Sequence, residues 1–380
     1  MAYDKHRYYP KESRMKSEKL TYKNVKTRAV LLPLKRPVVS RVGLFKEWPL
    51  ILIDLETTEG VVGRSYLEPY LSQSVQYIMP VIHNLAAALE GTTISPIDNF
   101  QVNRKSLSLV GLQGIAMIAI SGLDMACWDA LAKASNLPLA QMLGGSIGRV
   151  PAYNSNGLWL TPVETLEEEA ADLITEGNFS SLKLRLGRNS LSEDIAAIDA
   201  VRRAGGDSIN LMCDFNQGQT LDEALSRCHA LDDQGLYWFE EPIPYDQMFG
   251  YSQLAQELTT PVQLGENFYG PRALHEALIV KASDYVMPDL MRIGGVTGWL
   301  RSAAIAGGFG VPMSTHLYPE VSAHLMRVTE TAHWLEWQDW CNPILTEPFP
   351  LKDGHILVPD RPGTGIEWNE EAISQFLMEA

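Results

Sequence analysis

From Ser181 to Glu336, short apolar runs recur, each ending in an ionisable residue: SLKLR, INLMCD, LYWFE, PVQLGE, YVMPD, VPMSTH and HWLE. Each is strand-like, rich in branched or aromatic residues and bounded by turn signals. Segments with helical spacing separate them, among them LSEDIAAIDAVRRA, LDEALSRCHALDDQG and GPRALHEALIVKA. Strand alternating with helix predicts parallel βαβ units. If the strands close into a (β/α)8 barrel, residues at their C-terminal ends share one mouth, where barrel enzymes keep their chemistry. Lys183, Arg185, Asp214, Glu240, Glu266, Asp289, His316 and Glu336 would then converge.

The rest of the chain sets limits on that mouth. At 380 residues it exceeds one compact core, so two domains are expected. A formal charge of -15 argues against nucleic acid or an anionic membrane as partner, because both would repel it. Cys127, Cys213, Cys228 and Cys341 form no CxxC pair, which reads as reduced thiols in a cytoplasm. There is no run of 18 apolar residues and no apolar core in the first 20, so neither a membrane span nor a secretory signal is read.

In chain order, residues 1–20 read as a tail. YKNVKTRAVLLPL and PLILIDLETTEGVVGRSYL, with a turn at Glu59-Gly60, read as an antiparallel meander. From Ser72 to about Ser135 the spacing turns helical, and IAMIAISGLDMACWDALAKA is apolar all round, as a buried helix is. An α+β capping domain over 21–145 and a barrel over 146–340, opening with a strand at Pro151 to Gly157, are expected. Residues 341–380 are expected to return to the capping domain.

Asp214, Glu240 and Glu266 are spaced by one βα unit each. Three carboxylates at one mouth repel by about several kcal/mol unless a cation joins them. Hard oxygen ligands that leave room for water and substrate suit Mg2+. The alternative is that each caps the helix after its strand. Glu241, beside Glu240, is turned elsewhere by strand alternation. Asp289 and His316 read as a base dyad, the carboxylate fixing the histidine's tautomer. Lys183 and Arg185, two apart on one strand, would both face inward, either to receive a substrate carboxylate or to partner the metal carboxylates structurally. Glu336, if protonated, would donate to a substrate oxygen.

The series Lys183 in SLKLR, Asp214 in DFNQ, Glu240 in FEEP, Glu266 in GEN, Asp289 in PDLMRIGGVTGW, His316 in STHL and Glu336 in HWLEW resembles the enolase superfamily, and within it the mandelate racemase group. The resemblance runs from about Lys23 to the C-terminus. It implies an N-terminal α+β capping domain on a modified (β/α)7β TIM-type barrel, and Mg2+ held by Asp214, Glu240 and Glu266. It also implies Asp289 and His316 as base dyad, Glu336 as donor to the substrate carboxylate, Lys183 as its counter-charge, and assembly into a homo-oligomer. Asn216, Ser155, Tyr70 and the Pro37 to Trp48 loop would line the pocket. Arg185 departs from the pattern, which has a second lysine there. A guanidinium, with a pKa of roughly 12 or higher, does not exchange a proton near neutrality.

That substitution decides between outcomes. One base suffices to dehydrate a sugar acid to a 2-keto-3-deoxy acid, with His316 returning its proton to the departing β-hydroxyl. Racemisation or epimerisation of a 2-hydroxy acid needs proton exchange on the second face, and a non-catalytic carboxylate-binding relative would need neither. In the loops, Val38 and Val42 suit an apolar substrate, whereas Arg36, Arg41, Phe45, Lys46, Trp48 and Glu68 add groups that would favour a polyhydroxy acid or simply face water.

Overall fold

A computed structural model describes residues 19–41 and 43–378; Val42 and all but the last two residues of the expected tail lie outside the described residues. The chain opens with a meander of β1 (Tyr22–Ser40), β2 (Gly43–Thr57) and β3 (Val62–Leu67). Its middle strand pairs antiparallel on both sides, Ile51 opposite Ala29 and Leu67. Helices α1 (Val75–Ala87), α2 (Pro96–Ser106) and α3 (Ile115–Ala134) follow. The α3 helix lacks a polar stripe because it is covered on every side, lying on the meander and against the barrel. Two glycines permit that approach. A Cβ on Gly63 would fall 2.1 Å from the Ala126 carbonyl oxygen, and one on Gly122 would fall 2.5 Å from Ile53 Cδ1.

After the short α4 (Leu139–Met142) the barrel runs β4 (Arg149–Asn154), α5 (Val163–Thr175), β5 (Ser181–Arg185), α6 (Leu191–Gly205), β6 (Asn210–Asp214), α7 (Leu221–Leu231), β7 (Phe239–Glu240), α8 (Met248–Glu257), β8 (Val262–Leu264), α9 (Pro271–Ile279) and β9 (Tyr285–Val286). It ends with α10 (Leu290–Ile293), α11 (Gly295–Phe309), α12 (Pro319–Met326) and β10 (Leu335–Trp337). Strands β4 to β9 are parallel neighbours in order, and β10 returns to pair with β4. The VPMSTH run, expected as a strand, makes only single bridges. Val286 pairs with Met313 and Met313 with Ala332, and the Ser314 and His333 amides donate to Val286 and Met313 at 2.8 and 3.0 Å. Those bridges carry the ring from β9 to β10, so this is a (β/α)7β barrel on the capping domain, as expected. Buried Tyr153, Met212 and Trp238 pack together within it.

The glycine-rich PDLMRIGGVTGW run has a docking role. Gly294 and Gly295 take φ of 111° and 63° at the α10–α11 turn, which α3 overlies. A Cβ on Gly295 would meet Asp124 Oδ2 at 2.7 Å. Buried Asp124 accepts from the Thr297 amide at 2.8 Å and its hydroxyl at 2.5 Å, and Trp128 donates to the same hydroxyl at 2.9 Å. The C-terminal segment divides its contacts. A hairpin of β11 (Leu351–Lys352) and β12 (His355–Leu357) adds to β4, extending the barrel sheet. Beyond it the chain lies against the meander and α3. Thr364 and Trp368 bond Asp129 and Asp54, and α13 (Glu370–Phe376) lies by β1.

Candidate active site

A cavity of about 350 Å³ lies between the strand ends and the β1–β2 loop, lined by Lys183, Arg185, Asp214, Asn216, Glu266, His316 and Glu336 from the barrel and by Val38, Phe45, Trp48 and Tyr70 from the cap. None of the three proposed metal carboxylates caps the helix after its strand: those caps are Thr220, Gln247 and Gly270. The capping alternative therefore fails for all three.

Asp289 caps α10 and orients the His316 ring at once. One oxygen accepts the Met291 and Arg292 amides at 2.8 and 3.2 Å, and the other lies 2.7 Å from His316 Nδ1. His316 Nε2 is left toward the cavity, 3.3 Å from Glu266 and 3.9 Å from Glu336. Burial alone would lower the His316 pKa, but Glu266, Glu336 and Asp289 outweigh it and push it up to about 9.

Lys183 Nζ lies 2.6 Å from Glu240, 2.7 Å from Glu336 and 3.6 Å from Asp214. Glu336 also accepts Ser155 Oγ at 2.7 Å and the Leu317 amide at 2.9 Å. Burial opposes its charge, yet Lys183, His316 and Arg185 together hold its carboxyl well below the usual range. In this arrangement Glu336 accepts from Lys183, Ser155 and the Leu317 amide. Glu240, held by Lys183 and by Trp238 Nε1 at 3.0 Å, is pushed by burial up to about 8.

Arg185 is fastened rather than free. Its guanidinium donates to the Ser155 and Gly157 carbonyls at 3.3 and 3.2 Å and to Ser155 Oγ at 2.9 Å, and lies 3.8 Å from the Trp159 ring centroid. Ser155 does not line the cavity as expected; it is fully buried behind it, linking Arg185 to Glu336. Asn216 lines the wall but spends its amide on Asp214, at 2.9 Å. Tyr70 lines it with a hydroxyl that has no partner among the described residues.

Several lining residues were not foreseen. Arg292, three places after Asp289, is brought back by the α10 turn, bonds the Glu266 carbonyl at 2.9 Å and lies over the Tyr70 ring. Asn267 bridges Glu266 and Glu241 at 3.1 and 3.0 Å. Glu241 takes φ of 38°, which breaks the alternation that would have turned it away, and burial beside Glu266 raises its pKa well above normal. Trp159, Gln338 and Trp340 also face the cavity. Of the loop's charged residues, Arg36 pairs with Glu176 at 2.9 Å, Lys46 is exposed and Arg41 faces another groove. Glu68 is buried under Trp48, whose indole donates to it at 2.6 Å, and burial pushes it up to about 8.

Asp214, Glu240, Glu241, Glu266, Asp289 and Glu336 thus surround three fixed cations, Lys183, Arg185 and Arg292, and one histidine. No three acidic, histidine or cysteine side chains among the described residues are drawn together as a formed metal cage; the Lys183 ammonium holds the carboxylates instead. The uncompensated surplus of oxygen donors at adjacent strand ends nevertheless fits a hard divalent cation.

A capped barrel with acids, a lysine and a carboxylate-held histidine at its strand ends defines the enolase class of enzyme. The chain belongs to the mandelate racemase / muconate lactonizing enzyme family, whose N-terminal domain it matches over residues 22–144, with an enolase C-terminal domain-like match over 165–372. It is 32% identical to the L-talarate/galactarate dehydratase of Salmonella typhimurium over 92% of this chain and 89% of that one. It is 53% identical to an enolase from the alpha proteobacterium bal199 solved with bound magnesium, at a TM-score of 0.93 over 94% and 100% of the two chains. An enolase from Bradyrhizobium complexed with magnesium and mandelic acid is 38% identical, at a TM-score of 0.91 over 96% and 100%.

Proposed function

We propose that this enzyme removes the α-proton of a 2,3-dihydroxy carboxylate and expels the β-hydroxyl as water, giving a 2-keto-3-deoxy acid. The observation that carries the reading is the asymmetry of the site. His316, fixed by Asp289 at 2.7 Å, presents its Nε2 to the cavity beside Glu266, whereas Arg185 is tied to two carbonyls, a hydroxyl and an indole. One side holds a base, and the other holds a permanent cation.

Mg2+ would be held by Asp214, Glu240 and Glu266, where it supplies charge to stabilise the enediolate's oxygens. Lys183 neutralises the substrate carboxylate, and Arg185 and Arg292 add fixed positive charge around it. With Glu266 committed to a cation, the largest pull on the His316 proton weakens, and the imidazole can act as base. His316 Nε2 takes the α-proton, and the electron pair of the C–H bond passes into the enediolate. As the C3–O bond breaks, the same proton leaves with the hydroxide as water, and the enol product tautomerises to the keto acid. Asp289 stabilises the imidazolium throughout.

This proposal takes the cap over 21–145 and the barrel over 146–340 as one working unit, a homo-oligomer in the cytoplasm acting on a small carboxylate. The similarity to a sugar-acid dehydratase supports it. A second reading, racemisation of a 2-hydroxy acid, is favoured by one observation: much of the cavity wall is apolar, with Val38, Phe45 and Trp48 from the cap and Trp159 and Trp340 from the barrel, and the loop's charges are turned away, while a relative with this fold was solved with mandelic acid. Incubating the protein with Mg2+ and a pool of sugar acids and aryl or alkyl 2-hydroxy and 2,3-dihydroxy acids in D2O separates the two. A keto acid supports dehydration, whereas α-deuterium with inversion and no keto acid supports racemisation.

A further inference from the structure

A second cavity, of about 430 Å³, lies where the capping domain meets the outer helices of the barrel, and Arg104, Arg272, Arg301, Gln113, Tyr269 and Glu276 are among its walls. Arg104 comes from the last turn of α2, Arg272 from the first turn of α9 and Arg301 from α11. Three separate elements therefore bring guanidiniums to one place. Two of them share an aromatic ring, lying 5.7 and 5.2 Å from the centroid of Phe100.

Such a gathering of like charge calls for a reason in a chain where 46 acidic residues outnumber 31 lysines and arginines. Among the described residues, no carboxylate lies within ion-pair distance of any of the three. Arg301 donates to the Gln101 side-chain oxygen, at 2.9 and 3.1 Å with the amide so turned, but a neutral acceptor leaves its charge in place. The Nε of Arg104 is buried with no partner. Burial, then Arg301 and Arg272, lower its pKa below the usual arginine value. Three guanidiniums against the one carboxylate of Glu276 leave the cavity net positive.

We propose that this cavity binds a small phosphate-bearing anion, clamped between capping domain and barrel. A single guanidinium already satisfies a carboxylate through its two parallel donors, whereas a tetrahedral dianion accepts from several directions. Gln113 and Tyr269 supply neutral donors, and Leu112 and Met117 supply apolar wall for a short carbon skeleton. The site is distinct from the catalytic cavity, with which it shares no lining residue.

The test is isothermal titration of the metal-free full chain with inorganic phosphate and, separately, with glycerol 3-phosphate. One saturable site per chain is expected, weakened at least about tenfold in Arg104→Gln and again in Arg301→Gln, since each removes a charge-assisted donor. Tighter binding of the ester would identify a phosphorylated metabolite as the ligand, and equal binding would identify free phosphate; both support the proposal. Absence of saturation at about 10 mM, where even millimolar affinity is visible, would overturn it. So would affinity unchanged in both variants, or a change in sedimentation on Arg104→Gln without phosphate binding, which would mean that an acidic residue of a second copy fills the cavity. Circular dichroism of both variants excludes misfolding as the cause, and Arg272→Gln, exposed and without a hydrogen bond to lose, repeats the measurement with least risk to the fold.

Discussion

Arg185 and His316 carry opposite kinds of constraint, and each is testable alone. His316 has a short tether to Asp289 and a second nitrogen that faces the cavity 3.3 Å from Glu266. His316→Asn keeps the shape and removes the base, so α-proton exchange should fall by at least about a thousandfold with circular dichroism and Mg2+ affinity unchanged; persistent exchange would displace His316 from its role. Arg185, by contrast, satisfies two buried carbonyls, of which only that of Ser155 has a second donor, Gln338 Nε2 at 3.5 Å. Arg185→Met should lower stability in urea unfolding by about 2–4 kcal/mol, the cost of orphaned buried acceptors. A loss under about 0.5 kcal/mol, the range of an ordinary surface change, would show that the clamp is weak. The residue identities at the strand ends were legible because a parallel barrel leaves strand ends only one place to point. The partners of Glu336 were not, since they include an ammonium 2.7 Å away that no spacing rule locates. Glu241 escaped for a different reason, a left-handed backbone angle that ended the alternation.

At the scale of elements, the meander, the all-round apolar α3 and the repeated βα units were readable because each has a period or a length that burial imposes. The run at Val311 to His316 was misread as a strand because its apolar pattern says nothing of how many ladder bonds its neighbours offer; it makes bridges at Met313 and His316 only. The loop residues were least legible. Arg36, Arg41 and Lys46 could by sequence line the mouth, though water was their commoner destination, and Glu176 and solvent claim them. The signature PDLMRIGGVTGW carries two separate requirements, Asp289 for the base and Gly295 with Thr297 for the α3 contact. Thr297→Val keeps the shape and deletes the hydroxyl that two hydrogen bonds share, leaving buried Asp124 and Trp128 short of partners. Thermal unfolding should show a loss of about 2–3 kcal/mol. Near-neutral stability would mean that the joint is held by packing alone.

For the molecule as a whole, His324 ties three parts together. Its Nδ1 accepts the Ala140 amide at 3.2 Å and its Nε2 donates to the Thr364 carbonyl at 3.1 Å, so the neutral ring is required. Burial pushes its pKa down to about 4 from an ordinary 6.5. Its contribution is fully present above pH 6.5, where neither state is protonated, and is lost as pH falls from 6.5 to about 4 and the unfolded chain takes the proton first. The full effect is about 3 kcal/mol. Asp124 and Glu320, both pushed up to about 7 by burial, act in the opposite sense and favour the folded state less as pH rises from about 4.5 to 7. Replacing His324 by Gln should therefore flatten the acid side of a stability-versus-pH curve and leave the neutral side's slope unchanged; an unaltered acid slope would contradict this.

The proposed catalytic asymmetry is likewise a property of the whole barrel, since His316 and Arg185 stand on segments separated by the strands β10, which carries Glu336, and β4. The decisive measurement is proton NMR in D2O with Mg2+, following the α-hydrogen of each enantiomer of an accepted 2,3-dihydroxy acid in separate tubes. A base on one face only predicts that one enantiomer loses its α-hydrogen, with keto acid formed, while its mirror image keeps it. Loss from both enantiomers at comparable rates would show a second proton-transfer group opposite His316 and contradict the one-base site.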